Sequence, residues 1–223
     1  MASQASQAKR QRTSGGRRSR SRRLARRGEL VQFIFPWSQP DLSKWVERKI
    51  HPEAPKEIIQ NPNHDVTEAT LALEPEGLPI QGGPFEKVSR SILGYQIFGP
   101  KIGKTVTQTQ KVEVGDTIGL NYKFLPGLRL FFASRVVEVF ENEETERGVR
   151  SGFVYQTLEK HPELGEEIFQ VTKLPSGEVV LHIEAWSRPN LWFVKLFAPW
   201  GRWIQKYAAR CAVEYLTHVA GQA

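Results

Sequence analysis

The sequence has little cysteine, no long apolar run and, in its first 28 residues, no acidic side chain. Cys211 is the only cysteine among 223 residues, which excludes an intrachain disulfide and a cysteine-rich zinc site. It falls on the apolar face of a helical pattern, so we predict that it lies in the core. The longest apolar stretch, residues 191–200, contains Lys195 and Pro199 and is shorter than the roughly 20 residues that span a bilayer. No transmembrane helix is therefore expected.

The basic residues are concentrated at the amino terminus. Residues 1–28 contain ten lysines and arginines and no aspartate or glutamate, while the whole chain carries a net charge of +7. The rest of the chain holds 21 basic and 24 acidic residues. The body is therefore slightly acidic, and its composition does not indicate a basic nucleic-acid-binding fold.

Residues 1–29 are predicted to be a disordered Arg/Ser-rich tail, because they have too few apolar side chains to offset the entropy of ordering. Three interpretations stay open. The tail is solvated without a dedicated partner, or residues 1–28 contact nucleic acid or anionic lipid non-specifically, or the tail is an organelle-targeting segment. We predict a cytoplasmic location, with organelle targeting as the alternative. The sequence gives no prediction of the oligomeric state.

The chain after the tail divides into two predicted parts. Residues 30–82 have many prolines and weak periodicity, and we predict a short amphipathic helix after Pro40 followed by a long wrapping loop. Residues 83–219 are predicted to form the main domain. This part begins with a helix, because Phe85, Val88 and Ile92 share one face before Gly94.

The main domain then changes to a period of two, which is typical of strands. Six strands are predicted, joined by polar turns and by an acidic hairpin loop over residues 141–147. Their ranges are 105–114, 117–124, 130–140 with a bulge near residue 134, 149–158, 167–174 and 178–186. The short connections between consecutive strands predict an antiparallel meander.

A long amphipathic helix is predicted from residue 200 to about residue 218, because Trp203, Tyr207, Cys211 and Tyr215 recur every four residues. Residues 189–197 are predicted to form a shorter helix, capped by Ser187 and ended by Pro199. A curved sheet that wraps around the long helix would bury both apolar faces. The sequence thus predicts an α+β helix-grip fold, with an apolar cavity wherever the helix and the sheet do not touch.

The stretch GFVYQTLEKHPELGEEIF, residues 152–169, places one histidine and four glutamates between two apolar segments. The favoured interpretation is a tight turn with solvated charges, because proline and glycine are common in turns. Three alternatives stay open: a metal site, an acid–base carboxylate pair with Glu167 pointing inward, and a buried ion pair of Arg188 with Glu166 or Glu167. No metal site or cofactor is predicted. The predicted turn residues are His161, Pro162, Glu163, Gly165 and Glu166.

Together with VVLHIEAWSRPNLW, this stretch resembles the domain-of-unknown-function family nineteen-ninety, whose members resemble the START-like (SRPBCC) helix-grip superfamily. The resemblance is specific over residues 148–192 and implies the fold but no activity. The sequence departs from the family pattern at Gln156, where the pattern has glycine, and at Trp186, where it has phenylalanine. Both replacements are larger, which predicts a narrower pocket. The matching residues are Gly152, Phe153, Tyr155, Thr157, Leu158, His161, Pro162, Glu163, Gly165, Glu166, Glu167, Phe169, Ala185, Ser187, Arg188 and Pro189.

The leading functional hypothesis is a non-enzymatic domain that binds a small apolar ligand or lipid between the sheet and the last helix. One alternative is an enzyme of the same fold that acts on a hydrophobic substrate; it predicts a carboxyl group with a strongly perturbed pKa in the cavity. Another is an interaction protein whose tail is the working part. No catalytic residue is assigned, and His182 and Glu184 are predicted to be exposed on the opposite face. The candidate ligand-binding residues are Tyr155, Glu167, Phe169, Trp186, Arg188, Trp192, Trp203 and Tyr207.

Overall fold

The computed structural model describes residues 32–34, 39–191 and 198–222. Predictions that concern the tail, the apolar residues 35–38, Trp192 and residues 193–197 lie outside the described residues. Within them the helices and strands are, in chain order, β1 Gln32–Ile34, α1 Ser43–Val46, β2 Asn63–Leu73, α2 Pro84–Leu93, β3 Gly103–Val106, β4 Thr117–Leu125, β5 Leu128–Thr145, β6 Gly148–Thr157, β7 Glu163–Lys173, β8 Glu178–Pro189 and α3 Ala198–Ala220.

The described strands form one antiparallel sheet. Seven of them follow the order β2-β8-β7-β6-β5-β4-β3, and β1 pairs separately with β5. Strands β3 to β8 are neighbours in chain order, which confirms the predicted meander. The predicted number of six strands is wrong, because β1 and β2 come from the segment that was interpreted as a helix and a loop.

Strand β2 is the largest correction to the sequence prediction. It pairs with β8 over its whole length, from Asn63 opposite Ser187 to Leu73 opposite Glu178. Apart from the buried Leu71, its inward positions carry small or polar side chains such as Asp65 and Thr67, while its outward positions are exposed. The strand was missed because this pattern lacks the alternation of large apolar and polar residues that marks a half-buried strand.

Several predicted boundaries also move. Strand β3 ends at Val106, and Thr109 holds the irregular segment after it by donating a hydrogen bond to Asp116 at 2.6 Å. The predicted acidic hairpin loop belongs mostly to β5, which extends to Thr145. The register of β5 with β6 shifts between Val136 and Glu138 and again between Phe140 and Glu143, both slightly beyond the predicted position of the bulge.

Two predictions near β7 and β8 are wrong: the turn before β7 and the start of a short helix at the end of β8. The ladder between these strands begins with Glu163 opposite Pro189, so residues 163–166 are strand rather than turn. Ser187 and Pro189 are strand residues rather than the start of a helix. Proline is tolerated here because the pairing of β8 with β2 stops at Ser187, and strand ends accommodate a residue without an N–H group.

The core fills one half of the concave face of the sheet. Helix α2 packs Phe85, Val88 and Ile92 against Phe153 and Phe169 of the sheet, and the carboxyl-terminal half of α3 packs against the same cluster. Cys211 is buried, as predicted. The fold is therefore the predicted helix-grip arrangement, in which a curved sheet holds a long last helix.

Residues before β2 cover the outer face of the sheet. Trp45 is buried in α1 and meets Phe131 of β5 edge to face, with ring centroids 6.4 Å apart. Arg135 donates hydrogen bonds to the carbonyl oxygen of Val46 at 2.6 Å and to that of Arg48 at 3.1 Å. This segment therefore packs on the domain. Among the described helices, none is long and apolar enough to cross a bilayer.

Candidate functional site: a cavity between the sheet and the last helix

A cavity of about 760 Å³ lies between the concave face of the sheet and residues 203–210 of α3. It occupies the half of that face that the core does not fill. Most of its wall is apolar. The apolar lining comes from β4 and β5, from the segment after α2 and from α3, and includes Ile118, Leu120, Phe132, Tyr95, Phe98, Ile102, Ile204 and Ala208.

Strand β7 supplies the polar part of the wall. Because side chains alternate along a strand, Glu163, Gly165 and Glu167 line the cavity together with Phe169. The intervening Leu164 packs on the other side, in a cluster with Ala54 and Ile59. Two acidic side chains therefore enter an apolar cavity from a single strand.

The surroundings of Glu167 are more apolar than those of Glu163. The Tyr155 hydroxyl donates a hydrogen bond to the Glu167 carboxylate, and the Phe169 ring centroid lies 5.9 Å from that of Tyr155. The pKa of Glu167 is raised to about 7, chiefly by burial; the hydrogen bond from Tyr155 opposes this increase, and the charges of Glu163 and Asp65 add to it. A carboxyl group with this pKa exchanges protons near neutral pH.

Glu163 has more polar neighbours. The Gln205 side-chain amide donates to the Glu163 carboxylate at 2.7 Å and to the Ser187 hydroxyl at 2.9 Å. Burial raises the pKa of Glu163 to about 7, an increase that Gln205 and Arg202 oppose and Asp65 adds to. Arg202 itself forms a bidentate pair with Asp65, at 2.5 and 3.0 Å.

His161 is buried beside this group. Its Nδ1 atom lies 2.7 Å from the backbone oxygen of Glu163, and its ring meets Phe132 edge to face at 4.8 Å. Burial lowers the pKa of His161 to about 4, so the imidazole is neutral at pH 7. The predicted turn with solvated charges is therefore wrong for His161, Glu163 and Glu167, which all line the cavity.

The structure separates the predicted ligand-binding residues into two groups. Tyr155, Glu167, Phe169 and Trp203 line the cavity, as do all five motif residues, His161, Pro162, Glu163, Gly165 and Glu166. Trp186, Arg188 and Tyr207 are not part of the cavity wall. Tyr207 stacks on the exposed Trp203, with ring centroids 5.4 Å apart.

Trp186 and Arg188 belong to the outer side of the sheet. Trp186 stacks on His64 at 5.0 Å, and Arg188 forms an ion pair with Glu53. The predicted pair of Arg188 with Glu166 or Glu167 is wrong, because the register places Arg188 opposite Leu164. His182 and Glu184 also lie on the outer side, as predicted, but they are half-buried rather than fully exposed.

The outer side of the sheet also holds Gln156 and Trp186, the two residues that depart from the family pattern. Gln156 donates a hydrogen bond to Glu166 at 2.8 Å, and Lys56 lies 3.7 Å from the same carboxylate. Lys56 also lies over the Trp186 ring, at 4.8 Å. The larger side chains at positions 156 and 186 point away from the cavity, so the predicted narrowing of the pocket is wrong.

Sequence reasoning missed Asp65, Arg202 and Gln205. Asp65 belongs to the strand that was interpreted as a loop. Arg202 and Gln205 share one face of α3 with Ala209, at a spacing of three and four residues. These polar residues lie beside the apolar stripe of the helix, and that pattern could have indicated a polar contact with the cavity. Among the described residues, no three histidine, cysteine or acidic side chains are grouped as a metal site would require.

The free energy of unfolding is expected to fall as the pH rises from 6 to 8. Glu163 and Glu167 have a pKa of about 7 in the folded protein, above the ordinary value of 4.5. The folded protein therefore binds more protons than the unfolded chain in this range, and the stability that the protonated groups contribute is lost as the pH passes 7. We expect a loss of roughly 1 kcal/mol for each group. Thermal unfolding monitored by circular dichroism at pH 6, 7 and 8 measures it.

The double variant Glu163→Gln/Glu167→Gln is expected to abolish this fall in stability. Glu144→Gln, at an exposed position of β5, is the matched control and should keep it. A wild-type stability that is constant or rises between pH 6 and 8 would contradict the raised pKa of the two carboxyl groups. His161 acts in the opposite sense in the lower part of this range: its folded pKa is about 4 against an ordinary 6.5, so the unfolded chain gains that proton as the pH falls toward 6 and offsets part of the change due to the two carboxyl groups.

Residues 62–215 match the family model described as "Domain of unknown function (DUF1990)". The chain belongs to this family. A DUF1990-type relative in the slime mould Dictyostelium discoideum, described as a UPF0548 protein, is 28% identical over 101 residues. That match covers 42% of this chain and 46% of the relative, so the chain spans less than half of the relative's length.

Solved structures similar to this DUF1990 chain include three proteins of low sequence identity. Major latex-like protein 151 from Panax ginseng is 12% identical, with 69% of this chain and 96% of that chain covered and a TM-score of 0.36. A norcoclaurine synthase mutant from Thalictrum is 11% identical, with 70% and 98% covered and a TM-score of 0.37. The di-domain ARO/CYC protein of the steffimycin biosynthetic pathway is 9% identical, with 70% and 50% covered and a TM-score of 0.47. We infer no activity from these likenesses.

Proposed function

We propose that this DUF1990 domain binds a small, mainly apolar molecule in the cavity between the sheet and α3. The observation that carries the proposal is the cavity itself, with a volume of about 760 Å³. Binding pockets for small molecules typically measure 300–1,000 Å³ and combine a mostly apolar wall with a few polar groups. Here the polar groups belong to β7 and its neighbours, and the rest of the wall is apolar.

The cavity is too large to be an ordinary packing defect. Protein interiors are close-packed, and voids larger than a water molecule are few. Gly165, Ala185, Ala208 and Ala209 all line the cavity, and their small side chains leave the space open where leucine or phenylalanine would fill it. An empty apolar cavity costs stability, so a site that preserves one is best explained by an occupant.

Full-length protein tests the proposal in two ways. Native mass spectrometry followed by organic extraction detects a molecule that co-purifies, and titration with the neutral fluorophore N-phenyl-1-naphthylamine measures access to an apolar site. Ala185→Phe places a ring inside the cavity and is expected to weaken binding of the fluorophore at least tenfold. Thr70→Phe adds the same ring at an exposed, outward position of β2 and should bind like the wild type.

Both variants are first checked for an unchanged circular dichroism spectrum and a cooperative thermal transition. The proposal fails if the wild type neither binds the fluorophore nor carries an extractable molecule. Equal affinity in the wild type and in folded Ala185→Phe would also overturn it, because the fluorophore would then bind elsewhere.

A second candidate function is proton transfer on the bound molecule. The Tyr155–Glu167 hydrogen bond and the pKa of Glu167 near 7 support it, since general acid–base groups work best when their pKa is near the working pH. The molecule extracted from the protein would be incubated in D₂O with wild type or with Glu167→Gln. Deuterium uptake or a change of mass with the wild type alone supports an enzyme, and identical recovery from both proteins contradicts it.

A further inference from the structure

We infer that the molecule bound in the cavity carries a protonated amine, held against Glu167 among the aromatic side chains that line the same cavity as this carboxylate. The inference rests on the proposed function and specifies the class of ligand. It follows from three properties of the cavity wall: the balance of charge, the position of the rings and the placement of the other cations.

The charges on the wall are compensated unequally. Asp65 is paired with the Arg202 guanidinium by two hydrogen bonds. Glu163 accepts a hydrogen bond from the Gln205 amide, and the positive charge of Arg202 lowers the pKa of Glu163. Glu167 has only the Tyr155 hydroxyl as a hydrogen-bond donor in the described structure, and the charges that shift its pKa are those of Glu163 and Asp65. Among the described residues of the wall, Glu167 is therefore a carboxylate without a cationic partner.

Aromatic side chains line the same cavity as this carboxylate. Tyr95, Phe98, Tyr155 and Phe169 all line the cavity. The Phe98 and Phe169 ring centroids are 5.7 Å apart, and the charge of Glu167 affects the pKa of both Tyr95 and Tyr155. Ring faces attract organic cations, most strongly where water is excluded. Rings and a carboxylate together favour an ammonium group that is attached to an apolar body.

The other ionisable groups of the wall do not offset Glu167. Tyr95 and Tyr155 stay neutral because burial raises the pKa of each, and His161 is neutral at pH 7. Glu163 lies four residues along the same strand, roughly 13 Å away at about 3.3 Å per residue. Lys206 and Arg210 line the cavity from exposed positions of α3, and neither is among the charges that shift the pKa of Glu167.

The charge of Glu167 makes recognition dependent on pH in a definite sense. The carboxyl group has a pKa of about 7, so it is mostly neutral at pH 5.5 and mostly ionised at pH 8. An aliphatic amine stays protonated over this range. The affinity for the amine is therefore expected to rise with pH, while the affinity for a neutral molecule of the same shape should change little.

Three compounds of matched shape test the inference: 2-(2-naphthyl)ethylamine, 2-(2-naphthyl)ethanol and 2-naphthylacetate. Each is titrated against full-length wild type at pH 5.5 and pH 8 by calorimetry and by displacement of N-phenyl-1-naphthylamine. We expect the amine to bind at least tenfold more tightly than the alcohol at pH 8 and about equally at pH 5.5. The acetate is expected to bind most weakly at pH 8.

Variants assign the preference to one residue. Glu167→Gln is expected to remove the preference for the amine at pH 8, and Glu138→Gln, an exposed residue on the outer side of β5, should retain it. Loss of the preference in Glu163→Gln but not in Glu167→Gln would overturn the assignment to Glu167. Equal binding of amine and alcohol, or tighter binding of the acetate, would overturn the inference while leaving the proposed function standing. Failure of all three compounds and of the fluorophore to bind would overturn the inference, and together with the absence of an extractable molecule it would contradict the proposed function as well.

Discussion

Replacing Lys173 with methionine is expected to lower the free energy of unfolding by about 2–4 kcal/mol. Lys173 is 1% exposed, although lysine is rarely buried. Its ammonium group donates hydrogen bonds to the carbonyl oxygens of Pro75 at 2.9 Å, Gly77 at 3.1 Å and Leu174 at 3.2 Å. Methionine has a similar length but donates nothing, so these buried oxygens would lose a charged donor.

Urea unfolding of the wild type and of Lys173→Met measures this difference, with one shared m-value for the dependence of the free energy of unfolding on urea concentration. Lys104→Met makes the same substitution at an exposed position of β3 and is expected to change the free energy of unfolding by less than about 0.5 kcal/mol. The loop at residues 75–77 should also become more sensitive to protease in Lys173→Met. A variant within 1 kcal/mol of the wild type would show that water replaces the ammonium group at little cost.

Replacing Gly165 with valine is expected to destabilise the domain by about 2–4 kcal/mol, although valine is the better strand former. A Cβ atom on Gly165 would lie 2.0 Å from the carbonyl oxygen of Trp186 and 2.9 Å from the Cα atom of Ser187. Both atoms belong to the backbone of β8, which can yield only by breaking the ladder. The Gly165 N–H group also donates to the Thr157 hydroxyl at 3.0 Å, and this bond would be strained.

Gly221→Ala provides the comparison, because its Cβ atom would make only an ordinary contact at 3.6 Å. Its stability is expected to stay within about 0.5 kcal/mol of the wild type. Thermal and urea unfolding measure both variants. If Gly165→Val is as stable as the wild type, strand propensity outweighs the close approach of β7 and β8, and the glycine of the motif has another role.

The sheet and the last helix could be predicted because their residues obey simple periods. Ile118 and Leu120 alternate with polar neighbours in β4, and Trp203, Tyr207 and Cys211 recur every four residues in α3. Strand β2 follows no such pattern, since its stability comes from pairing with β8 and most of its inward side chains are small or polar. The sequence of β2 alone does not indicate that it pairs with β8.

The site was predictable only in part, and for a related reason. Alternation along β6 and β7 places Tyr155, Glu167 and Phe169 on one face, and the structure has them together in the cavity wall. The same rule failed for Glu163, because β7 begins four residues earlier than predicted. The partners of Arg188 and Glu166 depend on the register between strands and on the segment before β2, which the period of a single strand does not determine.

The Asp65–Arg202 pair joins residues that are 137 positions apart in the chain. Contacts of such long range form only when most of the entropy of the intervening chain has already been lost. The acidic part of the cavity is thus absent from any partly folded state in which α3 has not docked against β2. A molecule that needs this part of the wall binds the native state alone, so its binding free energy adds to global stability by mass action. In a cell, the lifetime of the folded domain would then follow the supply of its ligand.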